Sequence, residues 1–360
     1  MNTRCKTMYL ILLATLNFSC IGKSAVDKEF QHIELLSATF TDSLKFTSGV
    51  RTIFQDSEGT YWFGSHSEGL CFYDGKSFEY RTTQDGLPDN QVRSIQEDKK
   101  GIIWIETANG VCSYDRQAAK IHIEPERVAS QSDWQKTDQD LWFNAGVRQG
   151  VLRYDGEKLT YLAFPNPMIT TSGTSFGVTS SAKGKNNRLW IGTYAGVFGF
   201  DGNQLSLMNN EALGLSTGSE KLHVRSVFED SKGRLWIGNN GIGVILKEGD
   251  STIFFSKENG KLIPMKEFEA NTLSRRFAKN TGLQSVFAIH EDHDGTIWFG
   301  DRDSGVWKYD GKLLSRFTID SALQSQMVYT IYKDKTNNLL FGTASGGVYR
   351  WNGASFDKLF

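Results

Sequence analysis

Apolar and polar residues alternate along this chain in runs of four to six, each run closed by a turn, and the pattern returns about every forty residues. The most regular run is a Trp followed by Phe or Ile: Trp62-Phe63-Gly64, Trp104-Ile105-Glu106, Trp142-Phe143-Asn144, Trp190-Ile191-Gly192, Trp236-Ile237-Gly238 and Trp298-Phe299-Gly300. Leu340-Phe341-Gly342 is the seventh copy. The first copy predicts four strands, a to d, over residues 50–55, 61–65, 70–73 and 77–81. Period-two alternation over so few residues suits antiparallel strands and not helices. Between a and b stands Asp56-Ser57-Glu58-Gly59, repeated as Asp98 to Gly101, Asp230 to Gly233 and Asp292 to Gly295. The Asp side chain accepts a turn amide, and the Gly takes positive φ. Between c and d stands Asp74-Gly75, repeated as Asp155-Gly156, Asp201-Gly202, Asp310-Gly311 and Asn352-Gly353. Such dipeptides predict a primed two-residue turn.

A four-stranded unit cannot bury both faces of its own sheet, so copies in series stack around an axis. The expected fold is therefore all-β, a single seven-bladed β-propeller of four-stranded antiparallel blades. The blades are placed at about residues 49–82, 91–124, 128–163, 176–208, 223–256, 284–318 and 326–360. The third copy is the poorest, because residues 132–139 offer only a short first strand and an atypical turn. Residues 32–39 read as an extra strand that can close the ring against blade seven. A chain of 360 residues exceeds the usual size of one core, about 250 to 300 residues, yet a ring absorbs that length by adding interfaces.

The stretch from Asp85-Gly86-Leu87-Pro88 through Glu97-Asp98 to Trp104, together with Leu235-Trp236-Ile237-Gly238, resembles the two-component regulator propeller repeat family. The resemblance covers nearly all of residues 49–360 and is specific for the fold. Members of that family commonly form the periplasmic sensing part of Bacteroidetes hybrid kinases that respond to polysaccharide fragments, alongside a second propeller, a β-domain, a membrane span and a kinase. This chain shows one propeller, so the resemblance implies a binding, sensor or accessory role.

Charge and composition then exclude some partners. Forty basic against 41 acidic residues leave a net charge of -1, unlike a protein that coats nucleic acid. Residues 1–20 read as a lipoprotein signal: Arg4 and Lys6, then an apolar stretch at 8–16, then Ser19-Cys20. Cys20 is thus the expected lipidated first residue of an exported protein anchored in the periplasm or at the outer membrane, with residues 21–48 as a linker. Ordinary secretion is the alternative. Cys71 and Cys112 hold one position in successive repeats, too far apart for a bridge, and are expected to be buried free thiols.

Chemistry is sparser. The tryptophans could stack on sugar rings, but their regular recurrence marks them as core between blades. Glu291-Asp292-His293-Asp294-Gly295 has the composition of a calcium or zinc loop and reads instead as the repeat's own turn, so neither metal nor cofactor is expected. No nucleophile elbow, paired Cys motif or phosphate loop is present. For an enzyme, a polysaccharide lyase or hydrolase, the pairs to test are His66 with Glu68 and Asp301 with Asp303. A structural partner in an envelope complex is a third class. Ligand binding is expected on the face where the d-to-a and b-to-c loops emerge, since the copies differ most there: His66, Glu68, Arg148, Tyr194, Asn240, Asp301 and Arg302. Arg51, Arg93 and Arg225 share one column at the start of strand a. They either bridge carboxylates between blades or form a positive funnel with Arg275 and Arg276 of the insertion 257–283. A funnel would suit an acidic oligosaccharide or an acidic protein partner.

Overall fold

The computed structural model describes residues 40–41, 43–116, 120–128, 134–165, 176–215, 222–255, 262–264 and 283–360. Seven successive sheets follow one another along the chain, and six of them begin with the strand that stands at one edge of its sheet and pairs on through b, c and d. In blade one these are Val50–Gln55, Tyr61–Ser65, Leu70–Tyr73 and Phe78–Arg81. The fold is the seven-bladed, all-β propeller that the repeats predict, with two single 3-10 turns among the described residues.

The spacing of Asp to Trp in each repeat has a direct cause. One oxygen of Asp56 accepts the amides of Glu58 and Thr60, and the other accepts the indole N–H of Trp62. Asp98, Asp230 and Asp292 do the same for Trp104, Trp236 and Trp298, at 3.1, 2.8 and 2.7 Å. Blade four has no such Asp, and Trp190 donates instead to Glu229 of the next blade. These five Trp are thus held by their polar edges while their bodies are buried between sheets, with Trp62, Trp236 and Trp298 fully buried.

The Gly after the Trp pair is a packing requirement. A Cβ on Gly64 would lie 2.5 Å from Val92 of the next blade's strand a, and one on Gly300 would lie 2.7 Å from Val328. Strand a of the following blade abuts strand b at that point, so no side chain fits. The ring closes by the same contact, because Gly342 faces Val50 across the junction of blades seven and one.

Three details depart from the sequence reading. The c-to-d turns are four-residue loops, since Tyr73 pairs with Phe78, Tyr154 with Leu159 and Tyr309 with Leu314. In them Asp74 accepts the amides of Lys76 and Ser77, and of the two turn residues only Gly75 has positive φ, so the Asp side chain replaces the second ladder bond of a primed turn. Blade three has strands b, c and d at Leu141–Asn144, Gly150–Tyr154 and Leu159–Ala163. Its fourth strand, Glu126–Val128, is added at the outer edge, parallel to strand d, and residues 134–140 form no strand. Among the described residues, strand b is therefore the innermost strand of blade three.

Phe40–Thr41 pairs with the outer strand of blade one, Phe40 opposite Glu79, and residues 32–39 lie outside the described residues. Blade seven takes all four strands from the C-terminal segment, so the ring is closed by side chains. Phe360 packs its ring 5.0 to 5.8 Å from those of Tyr61, Phe63, Tyr73 and Phe78. Finally, the insertion after blade five begins with Leu262–Pro264 paired antiparallel to Ser251–Phe255, which adds a fifth strand at the blade's outer edge. Cys71 and Cys112 are buried free thiols, as their register predicts, and burial pushes both up to about 12.

Candidate functional site

Every one of the six inner strands carries a β-bulge at the same point. The register slips between Val50 and Thr52, and likewise at Val92, Val178, Val224, Val286 and Val328. The residue inside each bulge is Arg51, Arg93, Thr179, Arg225, Phe287 or Tyr329. A bulged residue has no partner in the ladder and its side chain is re-aimed out of the sheet. All six line one cavity of about 1120 Å³ at the loop face of the ring. The sequence column is therefore a physical ring.

The described lining of the cavity reaches Val227, Ile289 and Ile331. One residue further along the same strands Phe228 lies against His290, and Tyr332 meets Phe54 edge-on. The rim is open, since Val147 is 99% exposed and Tyr194 is 40% exposed.

Its electrostatics are one-sided. Among the described residues none of Arg51, Arg93 and Arg225 forms an ion pair, so the bridging reading of this column finds no partner carboxylates. Arg51 reaches only His66 Nδ1 at 3.4 Å, and Arg93 reaches Gln91 at 3.2 Å. Arg225 lies over Phe287 and Tyr194, 5.0 and 5.6 Å from their centroids, with its Nε buried and unbonded. Burial and then the charge of Arg93 lower the pKa of Arg51, with Arg225 adding to the effect. Three guanidiniums share one enclosure and repel one another. Burial and then Arg51 lower His66, and burial and then Arg225 lower His223, so both histidines favour the neutral form.

Among the described lining residues one carboxylate is not paired to a cation within ion-pair distance. Glu106 stands where other copies have Gly, and it is buried. It fits because no described strand of blade three stands inside strand b to collide with it. Ser94 donates to it at 2.9 Å, and the Asn144 amide donates as well. Burial pushes its pKa up, and those two bonds with Arg93 and Arg51 offset this only in part. The other lining carboxylate, Glu126, is clamped by both terminal nitrogens of Arg148, at 2.7 and 3.1 Å.

Of the residues predicted from sequence, the structure brings together Arg51, Arg93, Arg225, His66, Tyr194 and Arg148. Glu68 is placed elsewhere: its carboxylate accepts the amides and hydroxyls of Thr47 and Ser48 and ties the incoming chain to blade one. Burial works against its ionisation, but those bonds outweigh it and lower the pKa. Asp301 is fully buried and accepts from the amides of Gln284, Ser285, Asp303 and Ser304. Asn240 and Arg302 bond each other at 3.2 Å beside it, outside the cavity. Neither acid–base pair named for an enzyme is assembled, since Glu68 and Asp301 are engaged by the backbone. Asp292 likewise serves its own turn and Trp298. Cys20, Arg275 and Arg276 lie outside the described residues. Sequence reasoning missed Glu106, Thr179, Phe287 and Tyr329. Their signal was present, Glu106 as the break in the Trp-Ile-Gly pattern and the others as members of the arginine column.

A model of the two component regulator propeller family matches residues 86–108, 218–241 and 282–303. Among solved structures, the extracellular domain described for the hybrid two component system BT3049 of B. thetaiotaomicron is similar at 19% identity and TM-score 0.61, over 86% of this chain and 40% of that one. That of BT4673 from the same organism is similar at 22% identity and TM-score 0.59, over 88% and 40%. The chain thus spans about two fifths of these domains. Virginiamycin B lyase from Staphylococcus aureus is similar at 13% identity and TM-score 0.60, over 87% and 99%. Identities this low show a common fold alone. Among curated proteins no match was found.

Proposed function

Because this chain is a seven-bladed propeller related to the two component regulator sensor propellers, we propose that it is an exported receptor or accessory protein that binds an anionic ligand in its central cavity. The observation that carries this reading is the set of three arginines, Arg51, Arg93 and Arg225, that form no ion pair among the described residues and sit on bulge positions around one cavity. Guanidinium forks match carboxylate and sulfate oxygens, and each desolvated, charge-assisted contact contributes about 1.5 to 3 kcal/mol. Export is supported by the signal-like segment ending at Cys20 and by the extracellular placement named for the two regulator domains. Lipid attachment at Cys20 and a contribution from Arg275 and Arg276 belong to the same proposal.

A thermal-shift panel of neutral and acidic oligosaccharides tests it. Acidic compounds are expected to raise the Tm with the logarithm of their concentration, with an effect that shrinks in salt. The Arg51→Ala, Arg225→Ala double variant is expected to abolish the shift. Equal shifts from neutral sugars, or none from any anion, would overturn the reading. Mass spectrometry of the native protein is expected to find residues 1–19 removed and acyl chains on Cys20.

A further inference from the structure

Among the described residues nine buried side-chain nitrogen or oxygen atoms have no hydrogen-bond partner, and four of them stand on or just before the inner strands of blades four and five: Thr179 Oγ1, Ser180 Oγ, His223 Nε2 and Arg225 Nε. The two blades meet here, since a Cβ on Gly192 would lie 2.5 Å from Ser180 Oγ and 2.9 Å from Val224. Buried polar atoms are nearly always bonded, so a group of four marks a place where a ligand completes the set. Thr179, Ser180 and Arg225 line the central cavity. Arg225 is held there by rings, 5.0 Å from Phe287 and 5.6 Å from Tyr194, while His223 meets Tyr194 edge-on at 4.9 Å. The wall on blades two and three is satisfied already: Arg93 donates to Gln91, Glu106 accepts from Ser94 and from the Asn144 amide, and Arg148 clamps Glu126.

We infer that the wall between blades four and five is a site for a phosphate monoester, its phosphoryl oxygens accepting from Arg225, Thr179, Ser180 and His223 and its organic group lying against Tyr194 and Phe287. The inference rests on the anion-binding reading above and names the ligand class within it. The guanidinium only donates, the two hydroxyls can donate, and the imidazole donates from Nε2 when its proton stands there. Four donor groups carried by two strands approach an anion from different directions, which the three oxygens of a phosphoryl group accept better than the two coplanar oxygens of a carboxylate. Charge agrees. The described lining carries four arginines, Arg51, Arg93, Arg148 and Arg225, against Glu106 and Glu126, an excess of two positive charges. A phosphate monoester has a second pKa of about 6 and so carries nearly two negative charges at neutral pH, whereas a carboxylate or a sulfate ester carries one. Both glutamates stand on blades two and three, so no described lining carboxylate opposes an anion on this wall.

Isothermal titration calorimetry of the whole chain at about pH 8, where the monoester is a dianion, tests this with phenyl phosphate, phenyl sulfate, benzoate and inorganic phosphate. Phenyl phosphate is expected to bind roughly tenfold more tightly than phenyl sulfate, which has the same shape and one charge fewer. It is also expected to exceed benzoate, and inorganic phosphate, which leaves the rings uncovered. Arg225→Gln is expected to weaken phenyl phosphate roughly tenfold or more, and Arg93→Gln to weaken it less. Thr179→Val separates binding from folding. It removes a buried hydroxyl that has no partner, so the Tm of the free protein is expected to hold or rise while phenyl phosphate binds roughly tenfold more weakly. If none of the four anions binds and acidic oligosaccharides fail as well, the anion-binding reading itself falls. If benzoate or phenyl sulfate binds as tightly as phenyl phosphate, or inorganic phosphate as tightly as its ester, the anion-binding reading stands and the phosphate monoester site is refuted. It is refuted too if Arg93→Gln costs as much as Arg225→Gln, or if Thr179→Val leaves the affinity unchanged.

Discussion

At the scale of single residues, Glu106 shows how a position acquires a role by losing a neighbour. In five copies the same site must be Gly, because a Cβ would strike the adjacent strand. Facing blade three, where no described strand stands inside strand b, a carboxylate fits and is buried near Arg93 and Arg51. Burial raises its folded pKa above the unfolded value, so the folded chain binds the proton more tightly than the unfolded one. Its contribution to stability is fullest below the ordinary carboxylate pKa and is lost as pH rises through the folded value. Glu106→Gln is therefore expected to raise the Tm above that of the wild type by a margin that grows from about pH 4 toward pH 8, as differential scanning fluorimetry would read it. A margin that shrinks with pH would mean that the arginines, and not burial, dominate this site.

Among the elements, the a-to-b hairpin is the unit of stability, and its Asp holds three or four donors at once. Asp230→Ala would strip acceptors from the amides of Lys232 and Arg234, the indole of Trp236 and the guanidinium of Arg234. The buried indole alone makes this costly, and a loss of roughly 3 kcal/mol in urea unfolding is expected. Asp310→Ala, on an exposed c-to-d loop, is expected to change little, because water replaces the Asp for the amides of Lys312 and Leu313. The spacing of Asp to Trp was legible in the sequence as a turn signal. That the same Asp also anchors the indole was not, because a six-residue offset indicates no contact until the hairpin is folded.

For the molecule as a whole, closure depends on Phe360. Phe360 fills a slot between blades seven and one, the Gln55 amide donates to Tyr332 Oη at 2.9 Å, and Tyr61 Oη donates to Asp334 at 2.9 Å. Phe360→Ala is expected to lower stability by roughly 2 to 3 kcal/mol and to weaken amide protection in blades one and seven before the others, as hydrogen exchange would report. Uniform loss of protection around the ring would mean that the junction is not its weakest interface.

The amino-acid sequence by itself determined the strands, the number of blades, the buried thiols and the column that carries three arginines, because alternation and turn chemistry act over a few residues and repeat seven times. Only the tertiary structure decided that residues 134–140 of blade three form no strand, that Phe40–Thr41 joins the outer edge of blade one, and that Glu68 and Asp301 serve the backbone. It also converted a column into a ring around a cavity. Those outcomes depend on contacts between residues far apart in the chain, as with the 277 positions separating Gln55 from Tyr332. Local pattern sets which side chains are available, and the packing of one blade on the next decides where there is room for them.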